Sequence, residues 1–230
     1  MTRMFPFITK TWNPLGGRCP YQCIYCWSMG EKGLVSRYDM AKYRGPPRLI
    51  EKEFKRQFKD GEFVFVQDMS DLFAKTVPNG MIQEVLNRIK EFPKTKFLLL
   101  TKNPIRYHAF HIPKNCVCGA TIETDFPPES YGKQISKAPS VRDRTYWMIQ
   151  LRHTKMVAIE PILDFSPDSF FTDITLIAPA FVAIGFDNYN NGLPEPESLE
   201  KVQEFINRLE NAGIKVYKKT IREPVETIVA

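Results

Sequence analysis

Short apolar runs and amphipathic stretches alternate along most of the chain. FVFVQ at 63–67 is β-branched and aromatic and reads as a strand. MIQEVLNRIKEF at 81–92 follows, with Ile82, Val85, Leu86 and Ile89 at helical spacing. KFLLLTK at 96–102 reads as a second buried strand, 115–123 as a third, MVAIEPI at 156–162 as a fourth and FVAIGF at 181–186 as a fifth. Helices are expected over 140–153 and 198–212. IKVYKK at 214–219 is expected as a last strand after the stop at Ala212–Gly213. Upstream, 48–60 (RLIEKEFKRQFKD) reads as a charged amphipathic helix and FPFIT at 5–9 as a first strand.

Alternating strands and helices predict an α/β protein whose parallel sheet is covered on its faces. The pattern alone fits an open doubly wound sheet or a partial barrel. Either places ligands at the C-terminal strand ends, and polar residues gather there: Gln67, Asp68, Ser70 and Asp71, then Thr101 and Lys102, then Glu123, Thr124 and Asp125, then Glu160, then Asp187 and Asn188. Asp71 and Asp125 are equally expected as turn or helix-start residues.

Composition narrows the class. The 230 residues suit a single domain over 1–230, and 43% hydrophobic with 25% charged residues excludes a disordered, collagenous or coiled-coil chain. The net charge is +6, but residues 1–60 carry 12 Lys and Arg against 5 Asp and Glu, so they hold +7 and the rest −1. A basic first quarter points to an anionic partner, or simply to a solvated basic helix. The longest apolar stretch, 174–186, contains Pro179 and is shorter than the roughly 18 residues a membrane span needs. No signal-peptide core is visible near the start. The expectation is a cytoplasmic protein without membrane association.

Three of the five cysteines lie in Cys19-Pro-Tyr-Gln-Cys23-Ile-Tyr-Cys26. Clustered thiols in an enzyme-sized chain suggest a metal and a reducing compartment. A structural zinc site wants four ligands, the fourth coming from Cys116, Cys118, His108, His111 or His153. An iron–sulfur cube also has four corners, and three protein thiolates leave one iron open to chemistry.

The x3, x2 spacing with Tyr25 before the last cysteine resembles the signature of the radical SAM superfamily. TWNPLGGRCPYQCIYCW, VFVQDMSDLF and FLLLTKNPIRY, in that order, are similar to a radical SAM group met in phages and archaea and to the spore photoproduct lyase branch. The resemblance implies a partial (β/α)6-type barrel with the cysteine loop after the first strand. It implies that Cys19, Cys23 and Cys26 hold a [4Fe–4S] cluster whose fourth iron binds S-adenosylmethionine (SAM). Reductive cleavage would then give a 5′-deoxyadenosyl radical that abstracts a substrate hydrogen.

The Gly-Gly-Glu that meets the SAM amino group in many members is absent; Gln67-Asp68-Met69-Ser70-Asp71 stands there, with Asp68 the first choice and Ser70 beside it. Lys102, next to Thr101, suits the SAM carboxylate. Tyr25 and the backbone around Trp27 suit adenine, Glu123 and Glu160 a ribose or substrate, and Gly185 a close approach. Cys118, two residues from Cys116, is a candidate hydrogen-atom donor or else a buried core residue. Arg37, Lys42, Arg44 and Arg48, interleaved with Tyr38 and Tyr43, suit phosphate contact and base stacking. The substrate expected first is a nucleotide or nucleic acid; a small metabolite or peptide is the alternative, and a non-catalytic metal-binding module that binds nucleic acid is a third reading. An electron donor such as flavodoxin or ferredoxin is the implied partner.

Overall fold

A computed structural model describes residues 5–30, 33–127, 130, 132 and 134–225. The chain begins with β1 (Lys10–Trp12) and β2 (Leu15–Gly16), then the cysteine loop, the single turn α1 (Leu34–Arg37), β3 (Arg48–Leu49) and the single turn α2 (Glu51–Phe54). Regular alternation follows: β4 (Phe63–Val66), α3 (Asn79–Lys90), β5 (Lys96–Thr101), a 3-10 turn (Pro104–Ala109), β6 (Cys116–Thr121), α4 (Val141–Gln150), β7 (Lys155–Ile159), α5 (Pro167–Ile177), β8 (Phe181–Ile184), α6 (Leu199–Asn211) and β9 (Lys215–Lys218). Seven strands form one all-parallel sheet in the order β1-β4-β5-β6-β7-β8-β9, while β2 and β3 make a separate antiparallel pair.

Side chains alternate across this sheet with period two. Val64, Val66, Phe97, Leu99, Cys116, Cys118, Ala120, Val157 and Ile159 share a cluster with the apolar stripes of α3, α5 and α6. That explains the spacing read in the sequence: Ile82, Val85, Leu86 and Ile89 of α3 are all fully buried. The other face carries Phe65, Leu98, Val117, Met156, Ala158 and Ala183, packed against Phe5 and Ile8.

The ring of Phe7 decides between an open sheet and a barrel. Its centroid lies 5.4 Å from Phe63 of β4, 4.9 Å from Phe181 of β8 and 4.7 Å from Tyr217 of β9. Three strands separate β4 from β8 in the sheet order. One ring can touch both only if the sheet curls around it, so the molecule is a partial barrel. Phe63 and Phe181 start their strands. The aromatic plug therefore fills the N-terminal end of the barrel and leaves the C-terminal end as its mouth.

Three expectations are corrected. FPFIT is not a strand; the first strand starts at Lys10, and Phe5 and Phe7 are the plug itself. The helix expected over 48–60 shrinks to Glu51–Phe54, because Arg48 and Leu49 pair with Gly16 and Leu15 instead. Helix α5 was not anticipated: only Pro179 and its neighbours separate its apolar residues from β8, and it ends at Ala178 in a left-handed conformation (φ 52°) with no glycine at that position. No helix among the described residues is long and apolar enough to cross a membrane.

Candidate active site at the barrel mouth

Continuing the inward-facing register past each strand end places Lys102 two residues beyond Leu100, Glu123 beyond Thr121, Glu160 beyond Ala158, Gly185 beyond Ala183 and Lys219 beyond Tyr217. The mouth is thus lined by charged residues from successive strands.

The cysteine loop is fastened over this mouth at both ends. At its start, Gln67 adopts a left-handed conformation (φ 64°). Its side-chain amide accepts from the Leu15 N–H (3.0 Å) and donates to the Leu15 carbonyl (3.1 Å), tying the loop to the end of β4. Asn13 donates to Asp68 (2.6 Å) and accepts from the Met69 N–H (3.3 Å). Further on, the Ile24 N–H donates to the Ile135 carbonyl and the Lys137 N–H to the Tyr21 carbonyl. Within the loop the Gly30 N–H donates to the Cys26 carbonyl, and a Cβ on Gly30 would sit 2.7 Å from that oxygen. Only glycine fits there.

Cys19, Cys23 and Cys26 are free thiols within electrostatic reach of one another. Burial and the Asp71 carboxylate push the Cys19 thiol up; burial does the same to Cys23, against the pull of Lys102. The Cys23 Sγ lies 3.1 Å from the Ser136 hydroxyl, and the Cys26 Sγ accepts from the Met29 N–H (3.2 Å). Among the described residues no three Cys, His, Asp or Glu side chains could hold a single metal ion. A cubic cluster makes a different demand, since each thiolate binds its own iron.

The remaining sequence candidates fall into separate settings. Glu123 is 2% exposed and accepts from Lys102 Nζ (2.7 Å), from Arg144 (2.7 Å) and from the Tyr25 hydroxyl. Burial raises its pKa, but Arg144 and Lys102 outweigh that and hold the carboxyl down at about 2. The Lys102 ammonium also lies 5.1 Å from the centre of the Tyr25 ring. Thr101 donates its hydroxyl to Asp71, which also accepts from the Lys102 and Phe73 N–H groups. Asp71 is thus a bracket between the ends of β4 and β5 as well as a local turn residue through its bond from the Phe73 N–H. Asp68 is pushed up by burial, and Ser70 accepts from Gln67 (2.7 Å). Trp27 packs with Val35, Tyr43 and Met69 under the loop.

Across the mouth, Glu160 pairs with Lys219 (3.0 Å), and burial pushes its carboxyl up. A Cβ on Gly185 would come within 3.2 Å of both side chains, so glycine lets this pair meet. Cys118 is not brought to the loop. It is fully buried beside Cys116 on the helix-facing side of β6. The sequence offered no signal for Arg144, which is delivered from α4 after a long loop, nor for Ser136. Lys219 had one in retrospect, two residues past Tyr217 in an inward register.

The basic first quarter is largely spent on itself. Lys42 donates to the Asn13 carbonyl and pairs with Glu53. Arg48 donates to the carbonyls of Ala41, Lys42 and Arg44, and Arg44 pairs with Asp39.

No curated protein matches the chain in sequence. Among solved structures, a mutant spore photoproduct lyase superposes with a TM-score of 0.61 at 10% identity, over 95% of this chain and 80% of that one. Streptococcus suis SuiB bound to its precursor peptide SuiA gives 0.62 at 8% identity, over 93% of this chain and 49% of SuiB. SuiB bound to S-adenosylmethionine gives 0.57 at 9%, over 93% and 51%. The chain therefore spans about half the length of SuiB. Both neighbours are radical SAM enzymes, and the shared fold is that of the radical SAM superfamily. In sequence, the family described as "Protein of unknown function (DUF5131)" matches residues 3–177, well over half of the chain, and the chain belongs to that family.

Proposed function

We propose that the protein is a radical SAM enzyme in which Cys19, Cys23 and Cys26 hold a [4Fe–4S] cluster at the barrel mouth. The observation that carries this reading is the convergence of three free thiols from one loop above a ring of strand-end charges. The donor set fits the group: three soft ligands, no disulfide among them, and a fourth corner left to a ligand. When bound, the cluster would pass an electron from a flavodoxin- or ferredoxin-class donor to SAM and cleave it reductively, so that the adenosyl fragment takes a substrate hydrogen.

The chain's own residues bind and shield. Lys102 is the cation available to the SAM carboxylate, Asp68 and Ser70 flank the position for its amino group, and Tyr25 offers a ring to the adenine. Thr101 acts through Asp71, setting the direction of the strand end that carries Lys102. Glu160, paired with Lys219, faces the substrate side, while Trp27 closes the loop against water. Cys118 is too deeply packed to touch substrate in this conformation; hydrogen return through it would need β6 to open.

The substrate we infer is a nucleotide or nucleic acid. Support comes from the +7 first quarter and from a spore photoproduct lyase neighbour solved with a dinucleoside photoproduct (TM-score 0.53, 10% identity, 87% of this chain and 60% of that one). Phosphate contact is assigned to the exposed Arg18, Arg37 and Arg44, the last of which would have to exchange Asp39 for a phosphate, with the exposed ring of Tyr38 beside them.

Anaerobic reconstitution with iron and sulfide tests the proposal. Wild type should take up about four irons per chain and, reduced with dithionite, release 5′-deoxyadenosine from SAM; Cys23→Ala should do neither. Wild type that holds no cluster or releases no 5′-deoxyadenosine overturns the enzyme reading. In the same preparation, single-stranded oligonucleotide binding should weaken steeply with salt; a flat salt response overturns the nucleic-acid substrate.

A further inference from the structure

Glu123 is met by three segments of the chain at once. Tyr25 comes from the cysteine loop, Lys102 from the end of β5 and Arg144 from the first turns of α4. Tyr25 and Lys102 share Oε1, while Arg144 takes Oε2. With both oxygens engaged and 2% exposure, the carboxylate offers no approach to a ribose or substrate hydroxyl. The direct contact expected of it from sequence is therefore not the role this geometry suits.

The two cations are not equivalent. Arg144 is anchored by further bonds to the Thr121 and Pro139 carbonyls and is the more buried, at 6% side-chain exposure against 12% for Lys102. Asp71 also acts on Lys102, so a count of charges does not set the two cations apart; what distinguishes them is that the ammonium of Lys102 is the more exposed and is where an anion can reach. That ammonium stands over the Tyr25 ring. An anion-binding group and an aromatic face are thus clamped side by side through one shared oxygen.

We propose that Glu123 is a positioning residue: its carboxylate latches the cysteine loop to the strand ends through Tyr25 and holds Tyr25 and Lys102 as one preassembled SAM-binding surface. The identity of the ligand rests on the radical SAM reading; the latch rests on the contacts alone.

Two measurements separate these layers. On reconstituted enzyme, Tyr25→Phe keeps the ring and removes only the hydroxyl. It should raise the KM for SAM about tenfold, the worth of one charge-assisted hydrogen bond, with iron content unchanged. Glu123→Ala, which removes the acceptor itself, should raise it further, and the double variant should be no worse than Glu123→Ala alone, because both remove the same contact. A Tyr25→Phe enzyme with wild-type KM, or losses that add, overturns the proposal. On cofactor-free protein, hydrogen exchange over residues 24–27 should accelerate in Tyr25→Phe; unchanged exchange overturns the latch. If wild type itself fails to bind SAM, the functional reading falls while the exchange experiment still decides the latch.

Discussion

At the scale of single residues, the charges at the mouth pull stability in opposite directions with pH. Glu123 has its folded pKa lowered from 4.5 to about 2, so its ion pairs stabilise the fold fully above pH 4.5 and lose that contribution as pH falls toward 2. The shift corresponds to about 3 kcal/mol, and the group is buried enough for no solvent discount. Asp68, Asp71 and Glu160 are raised by burial, so their charging costs stability near neutrality and the cost is relieved as pH falls through their folded values. Urea unfolding of cofactor-free protein should show Glu123→Gln much less stable than wild type near pH 6. The gap should narrow by most of that 3 kcal/mol toward pH 2. Parallel pH profiles for the two proteins would refute this account of Glu123. The polar residues at the strand ends were legible in the sequence because they recur at one edge. Their partners were not: nothing in the spacing of Glu123 announces that its second cation arrives from Arg144.

At the scale of elements, the readable pieces were those whose buried stripe and end signals agree. Helix α6 buries Val202, Phe205, Ile206 and Leu209, begins with Ser198 accepting from the Lys201 N–H, and is followed by Gly213 at φ 80°. Helix α5 has Pro179 rather than a glycine after its end, inside an apolar run shared with β8, and segment 48–60 has helical charge patterning that the short pairing with β2 overrides. Helix α4 matters most for the site, since it delivers Arg144. Its Ser140 accepts from the Asp143 N–H (3.1 Å) and donates to the Asp143 carboxylate (2.7 Å), a reciprocal cap. Arg144 Nε bonds the Pro139 carbonyl beside that cap. Ser140→Ala should cost about 1 kcal/mol in urea unfolding. A wild-type midpoint would mean that the helix start is held by Arg144 alone.

At the scale of the molecule, the parallel sheet was legible from strand–helix alternation, but its curl was not, because curl depends on what fills the concave side. The filler is the segment read as a strand. Phe5 is fully buried, stacks on Phe7 at 5.3 Å and meets Phe65 at 5.8 Å, and the Lys219 ammonium lies 5.0 Å from its ring centre. The plug therefore joins the second strand of the sheet to the last and forms the floor beneath the Glu160–Lys219 pair. The uneven charge reads differently at this scale as well. Lys42 and Arg48 are donors that bind the loop between β2 and β3 into shape, so part of the +7 is internal scaffolding rather than a surface for an anion. If the plug sets the curl, removing its centre should loosen the whole sheet rather than one edge. Phe5→Ala should lower unfolding stability by about 3–5 kcal/mol. Phe7→Ala, which removes the ring that touches both, should speed hydrogen exchange in β4 and β8 together, strands that do not touch each other in the sheet. Exchange that rises in β4 alone would mean that the curl is set by the helices outside the barrel and not by the aromatic floor within it.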